Sequence, residues 1–159
     1  MSISTIEFMP DQKTVEEIIQ KYRDKKLNLN PGFQRDSVWK ISDRAKLIDS
    51  IIKNYPLPSL FLYRRETDGE IYYDVIDGKQ RIESILMYMG IIRGNKYPAL
   101  LHMPDTQEPD KYYYHHIVNC KRQHLINGYK LQTIEVRGDL SDIIDLFVRI
   151  NSTGKALTS

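Results

Sequence analysis

The stretch "DVIDGKQRIES", residues 74–84, decides the fold, because a strand ends and a helix begins inside it. The residues "IYYDVI" are rich in the β-branched and aromatic side chains that strands favour. The residues "KQRIESILMYM" carry aliphatic side chains at helical spacing and stop at Gly90, a natural helix C-cap. Gly78 permits a tight turn between them. We therefore predict a strand, a turn and a helix around DGKQR.

The charged residues of this turn fit the chemistry of a phosphate site. The first backbone N–H groups of a helix lack partners within the helix and carry partial positive charge. Lys79 and Arg81 add two full charges at the same place, and Gly78 allows close approach of the backbone. Asp77 is then placed to hold a Mg²⁺ ion that bridges phosphates, or to orient an attacking water, and Gln80 is placed to orient the same nucleophile.

The same residues also allow a purely structural interpretation. Asp77 would cap the helix by accepting from the backbone N–H of Gln80, Lys79 would be solvated, and Arg81 would bridge Asp77 or Glu83. Spacing alone leaves both interpretations open, because Asp-Gly turns before helices are common. If the turn binds phosphate, we expect Arg81 to be an exposed cation that points back across the first helical turn.

The flanking sequence predicts a mixed α+β domain. "SLFLYRR" and "IYYDVI" form a hairpin through Asp68-Gly69, and further strands are predicted at "STIEFM", "YPALLHM" and "YKLQTIEVRG". One helix follows Thr14, whose spacing to Glu17 fits a capping box, and a second is capped by Ser42.

Composition narrows the class of protein. The 159 residues suit one compact domain, so residues 1–159 are expected to form a single unit. The net charge is +2, so any basic surface must arise from local clustering. No apolar run approaches the ~20 residues of a membrane helix. Cys120 is the only cysteine, which excludes an internal disulfide and favours a cytoplasmic location.

Residues 111–130, "KYYYHHIVNCKRQHLINGYK", contain four Lys or Arg, four Tyr and three His but no acidic residue. Basic side chains among aromatic ones suit contacts with nucleic-acid phosphates and stacked bases, so Lys121 and Arg122 are candidate contacts. The alternative is a buried aromatic face with a few solvated lysines. Cys120 and His124 are spaced like half of a zinc site, but no second pair supports a structural zinc.

Two more segments are candidates for the site. "FQRDSVWK" places Arg35 near Trp39, which we expect to anchor its loop onto the core. "LFVRINSTGKALT" predicts a helix that ends near Asn151 and a glycine-containing loop after it, either a plain helix end or a second ligand-binding loop. A capping Thr-Ser after Leu157 suggests a further helix, so we expect the chain to be the N-terminal part of a longer protein.

Four of these segments together resemble one known family. "QRDSVW", "LIDSIIKNYPLPSLFL", "DVIDGKQR" and "FVRINSTGKALT" occur in the order and approximate spacing of the N-terminal domain of GmrSD-type restriction proteins. SspE-type phage-defence proteins carry the same domain, which belongs to the ParB/sulfiredoxin-like superfamily. The resemblance covers roughly residues 15–159. The family signature is usually Asp-Gly-Gln-Gln-Arg, whereas this chain has Lys79 at the third position.

The resemblance implies a ParB/sulfiredoxin-like α+β fold, with a small mixed sheet flanked by helices. It implies binding and hydrolysis of a nucleoside triphosphate, often GTP, with Mg²⁺, in the regulation of DNA restriction during antiphage defence. It implies catalytic roles for Asp77, Gln80 and Arg81, with Asp77 as the metal ligand. The other nucleotide-binding residues that it implies are Gly78, Arg35 and Asn151. Lys79, which departs from the family signature, is a nucleotide-binding candidate through its own charge.

The implied partners are a nucleoside triphosphate, DNA, a nuclease domain that is C-terminal or separate, and further copies of the chain, but no membrane. The departure at Lys79 and the acid-free segment motivate one alternative, a DNA-binding or modified-DNA-sensing module without turnover. A second alternative is a ParB-like nuclease, although the sequence has no HNH-like or paired-carboxylate motif.

Overall fold

The computed structural model of the chain describes residues 6–31, 39–92 and 96–158, with the backbone alone for 151–158. Helices and strands alternate irregularly along this part of the chain. In chain order they are β1 (Glu7–Thr14), α1 (Val15–Arg23), β2 (Leu27–Asn28), α2 (Ile41–Ile52), β3 (Leu60–Thr67), β4 (Glu70–Asp77), α3 (Lys79–Tyr88), β5 (Ala99–Leu101), β6 (Asp110–Tyr112), α4 (Tyr114–Asn119), α5 (His124–Asn127), β7 (Lys130–Arg137) and α6 (Leu140–Thr158).

A mixed five-stranded sheet organises the fold, in the order β1-β7-β3-β4-β2. The β1–β7 and β3–β4 pairs are antiparallel, and the β3–β7 and β2–β4 pairs are parallel. Asp68 and Gly69 have φ of 53° and 78°, the positive values that a tight two-residue hairpin requires. The predicted α+β class and the predicted hairpin are both confirmed.

Successive residues of β4 face opposite sides of the sheet, and helices pack against each side. Val75 packs into the larger core with α1, α2 and α3. Ile76 packs on the other side with Val136, Ile143 and Phe147, which brings α6 against the sheet. Residues 73–76 of β4 are buried, and the next four residues, 77–80, are half-buried where the strand passes into the DGKQR turn.

The first two helix starts were predicted with mixed success. Thr14 is the N-cap of α1, and its Oγ1 accepts from the backbone N–H of Glu17 at 3.1 Å, as predicted. The prediction of Ser42 as a cap is wrong, because α2 begins at Ile41 after Lys40. The Asp43 carboxylate accepts from the Lys40 backbone N–H at 3.1 Å and fixes this earlier start.

The predicted loop after Asn151 is also wrong, because the α6 backbone is helical from Leu140 to Thr158. The segment contains one glycine and no proline, and a single glycine costs a helix only about 1 kcal/mol. Within the described ranges, none of the helices combines the length and apolar character needed to cross a membrane.

Candidate functional site

The DGKQR turn joins β4 directly to α3. Asp77 ends the strand, and Gly78 is the helix N-cap in a left-handed conformation, with φ of 107° and ψ of 9°. The alternative in which Asp77 caps the helix is therefore wrong. The Gly78 carbonyl accepts from the Ile82 N–H at 3.1 Å. The three preceding backbone N–H groups, at residues 79–81, belong to the first turn and lack carbonyl partners within the helix.

Only glycine fits at position 78. A positive φ already disfavours any other residue. A Cβ built on Gly78 would also lie 2.3 Å from Leu60 Cδ2 and 3.4 Å from Arg81 Nη2. Leu60 is completely buried in the core, so it cannot move away at low cost. The turn is therefore fixed by the packing of the neighbouring strand as well as by its own backbone.

Arg81 folds back across the first helical turn, in the direction predicted, but it is not exposed. It donates to the carbonyl of Pro58 and, at 3.3 Å, to that of Ser59, and its Nη2 lies 3.5 Å from Asp77 Oδ2. Only 9% of the residue is exposed, so the expectation of a surface cation is wrong. The ion pair with Asp77 is one of the two that the structural interpretation predicted. Burial lowers the pKa of the Arg81 guanidinium, and the Asp77 carboxylate opposes that change.

Gln80 is held by Arg44, which the sequence analysis did not single out. Arg44 Nη2 donates to Gln80 Oε1 at 2.9 Å, and Nη1 donates to Ser84 Oγ at 2.8 Å. Arg44 is only 7% exposed. The overlooked signal was its position in α2, one turn before the apolar pair Leu47 and Ile48, which places it on the buried face of that helix.

Lys79 links the turn to the segment after β2. Its Nζ lies 2.6 Å from Asn30 Oδ1 and 3.6 Å from Glu83 Oε1. Arg35 lies five residues after Asn30 and outside the described residues. Trp39 packs against the larger core, which confirms the anchoring role predicted for it.

Asp77 is the one carboxylate of the motif itself, and its side chain is 39% exposed. In the part of the chain that the structure describes, no group of three or more His, Cys, Asp or Glu residues is placed to hold a metal ion. A single half-exposed carboxylate fits Mg²⁺ that is ligated mainly by phosphates and water. Asn151 lies in the α6 helix, but its side chain is outside the described part of the structure.

The acid-free segment 111–130 is partly buried and partly an aromatic surface. Ile117 and Ile126 anchor α4 and α5 in the core. Tyr113 is 37% exposed, and its ring stacks on the exposed His115 ring with centroids 5.6 Å apart and planes 17° apart. Of the four tyrosines, Tyr129 is buried and Tyr112 and Tyr114 pack against the core, so the predicted alternative of a buried aromatic face holds for these three and fails for Tyr113.

The two basic candidates of that segment differ in their surroundings. Lys121 is exposed and has a φ of 58°. Arg122 is half-buried and forms an ion pair with Asp105. Of the two, Lys121 is the cation more open to an incoming ligand.

Comparison with known proteins gives one match. The model of the family described as "GmrSD restriction endonuclease, N-terminal domain" matches residues 15–159. No curated protein and no solved structure matches the chain with significance. The matched range covers nine tenths of the sequence and includes both the DGKQR turn and the 111–130 segment.

Proposed function

Because the chain belongs to the family of GmrSD restriction endonuclease N-terminal domains, we propose that it binds a nucleoside triphosphate at the N-terminus of α3 and hydrolyses it with Mg²⁺. The observation that carries the proposal is the left-handed Gly78, which opens the first turn of a ten-residue helix between Asp77 and Lys79. Nucleotide turnover would control DNA restriction by a nuclease domain outside residues 1–159.

The phosphates would be bound mainly by the backbone of the turn. The N–H groups of residues 79–81 point out of the helix and carry partial positive charge, and Gly78 has no side chain to block their approach. Lys79 Nζ adds a full charge beside them. Arg81 adds a second positive charge from the buried side of the turn. Its guanidinium is held there by the Pro58 and Ser59 carbonyls.

Asp77 and Gln80 would act on the metal and the water. The ion pair with Arg81 fixes the Asp77 carboxylate beside the helix end, where it would ligate Mg²⁺, and the ion would neutralise charge on the phosphates. Arg44 occupies Gln80 Oε1, so the Nε2 group is the end left to donate to a water or a γ-phosphate oxygen. Water would attack the γ-phosphorus, and the bond from that phosphorus to the β–γ bridging oxygen would break, so that the nucleoside diphosphate leaves with the bridging oxygen. One proton of the water would stay on the released phosphate, and the other would pass to solvent.

The test is isothermal titration with ATP, GTP, CTP and UTP in the presence of Mg²⁺, together with a phosphate-release assay. We expect at least one nucleotide to bind, and Lys79→Ala to weaken its affinity about tenfold through loss of a charge-assisted contact. Lys46→Ala removes an exposed lysine of α2 and should leave the affinity unchanged. A folded sample that binds none of the four nucleotides contradicts the proposal.

The exposed Tyr113–His115 stack favours a second candidate function, DNA binding or sensing of modified DNA. An exposed aromatic pair and, six residues after His115, an exposed lysine suit contact with unstacked bases and phosphates. A gel shift at low and high salt tests this, since binding driven by phosphates weakens steeply with salt. Lys121→Ala with His115→Ala should abolish the shift, whereas unchanged affinity would leave the segment without this role.

A further inference from the structure

A second concave surface lies at the opposite end of β4 from the DGKQR turn. It is an open cavity of about 320 Å³, which we call the lysine cleft. It is lined by Lys21, Lys26, Gly69, Glu70, Ile71 and Tyr73. Along β4, at ~3.3 Å per residue, Glu70 lies roughly 23 Å from Asp77 and Tyr73 lies roughly 13 Å from it. The two sites are therefore spatially separate.

Two lysines line this cleft, and a third lies against its Tyr73 wall. Lys21 Nζ lies 5.0 Å from the centroid of the Tyr73 ring, and Lys13 Nζ lies 5.6 Å from the same centroid. Lys26 lines the same cavity, and its backbone carbonyl accepts from the Tyr73 N–H at 2.9 Å. One aromatic ring thus brings two ammonium groups together, and the backbone pairing holds a third beside them.

The convergence has an electrostatic cost. Burial lowers the pKa of the Lys21 ammonium, and the charges of Lys13 and Lys26 lower it further. Glu17 and Glu135 act in the opposite direction but do not restore the ordinary value. A lowered lysine pKa in a cleft means that the charged form lacks sufficient compensation there, which a bound anion would supply.

The carboxylates around the cleft are engaged with other groups. Glu135 is 7% exposed and accepts from the Tyr73 hydroxyl at 2.8 Å and from Arg137 Nη2 at 3.1 Å. Glu70 lies 3.7 Å from Lys26 Nζ and also accepts from the Tyr72 hydroxyl at 2.9 Å. Lys13 has Asp11 at 3.5 Å, at the long end of ion-pair distances. For Lys21, the nearby carboxylates therefore offset the effect of burial only in part.

We propose that the lysine cleft is a binding site for a phosphate group, separate from the nucleotide site at α3. Lys21 and Lys26 would contact the phosphate oxygens, and the Tyr73 ring would form the apolar wall. Gly69 leaves the hairpin side open, because a Cβ built there meets no atom within 4 Å. A DNA phosphodiester and a free phosphate compound share this chemistry, so the test uses one probe of each kind.

The test follows backbone amides by ¹H–¹⁵N NMR while inorganic pyrophosphate or a short DNA duplex is added. We expect saturable shifts at Gly69 and Glu70 in the wild type. Lys21→Gln should weaken the binding about tenfold, and Lys46→Gln, an equal change of charge outside the cleft, should leave it unchanged. If the duplex binds more tightly and its affinity falls steeply with salt, the natural ligand is the DNA backbone. If pyrophosphate binds more tightly, the ligand is a free phosphate compound.

Two outcomes overturn the inference. Shifts confined to residues 79–81 would place the anion at the α3 turn alone. That result would support the nucleotide site and contradict phosphate binding in the lysine cleft. An equal loss of affinity in Lys21→Gln and Lys46→Gln would show general charge attraction. The pKa of the Lys21 side chain gives an independent readout, because a bound anion favours its charged form and should raise that pKa toward the ordinary value.

Discussion

The two ends of β4 hold their positive charges in different ways. At the α3 end, the Arg81 and Arg44 guanidinium groups are buried, and each donates to at least two oxygens of the protein. At the hairpin end, Lys13 and Lys21 lie over the Tyr73 ring and repel one another. Buried guanidinium groups that are held by hydrogen bonds stabilise the fold. Ammonium groups that lie close together on flexible side chains lower its stability and favour the binding of an anion. Substitution of the buried Arg81 or Arg44 should therefore lower stability, whereas substitution of the cleft lysines should mainly change anion affinity.

The largest effect is expected from Gly78→Ala. The new methyl group adds backbone strain at φ 107° to a 2.3 Å clash with the buried Leu60, so the free energy of unfolding should fall by about 3 kcal/mol. Gly69→Ala is the matched control, because Gly69 also has a positive φ but open space around it, and it should lose only about 1 kcal/mol. Urea unfolding measures both. Equal losses would show that packing against Leu60 does not fix the turn.

Arg81→Ala should be the next most damaging. It leaves the Pro58 and Ser59 carbonyls and the Asp77 carboxylate without their donor, at a cost of about 2 kcal/mol in unfolding free energy. Arg149→Ala removes an arginine whose side chain is 77% exposed, and it should stay within about 0.5 kcal/mol of the wild type. If Arg81→Ala melts like Arg149→Ala, Arg81 is not part of a structural frame.

Local signals in the sequence predicted the turn and the hairpin. The burial of Arg81 was not predicted, because it depends on contacts between residues distant in sequence. Gly78, Asp68-Gly69 and the Thr14 cap act on neighbours within four residues, so their patterns are readable from the sequence. The burial of Arg81 depends on carbonyls at Pro58 and Ser59, 23 and 22 residues away. No local pattern encodes such partners.

Contacts between residues distant in sequence also explain why Arg44 and the lysine cleft were not predicted. Arg44 meets Gln80 across 36 residues of sequence. The lysine cleft likewise joins segments far apart in the chain, because Lys13 of β1 and Lys21 of α1 both lie over the ring of Tyr73 in β4. The prediction of Ser42 as a cap failed on a smaller scale, because the neighbouring Asp43 carboxylate binds the Lys40 N–H and starts α2 two residues earlier.

The smallest effect on stability is expected from Lys21→Gln. The Lys21 pKa is lowered in the folded state, so the charged form is disfavoured there relative to the unfolded chain. Stability therefore rises with pH between the folded pKa and the unfolded value near 10.5, and removal of the charge should leave stability at pH 7 unchanged or raised, within about 0.5 kcal/mol. Thermal unfolding at pH 7 measures this. A clear loss of stability would mean that Lys21 is a structural residue.

The central claim, that the N-terminus of α3 binds the phosphates of a nucleotide, is tested most directly by the amide resonances of Lys79, Gln80 and Arg81 during titration with a nucleoside triphosphate and Mg²⁺. Amides that donate to phosphate oxygens shift downfield, so we expect saturable downfield shifts at all three, with the same dissociation constant as in calorimetry. Saturable binding that leaves these three amides unmoved while residues elsewhere shift would contradict the account.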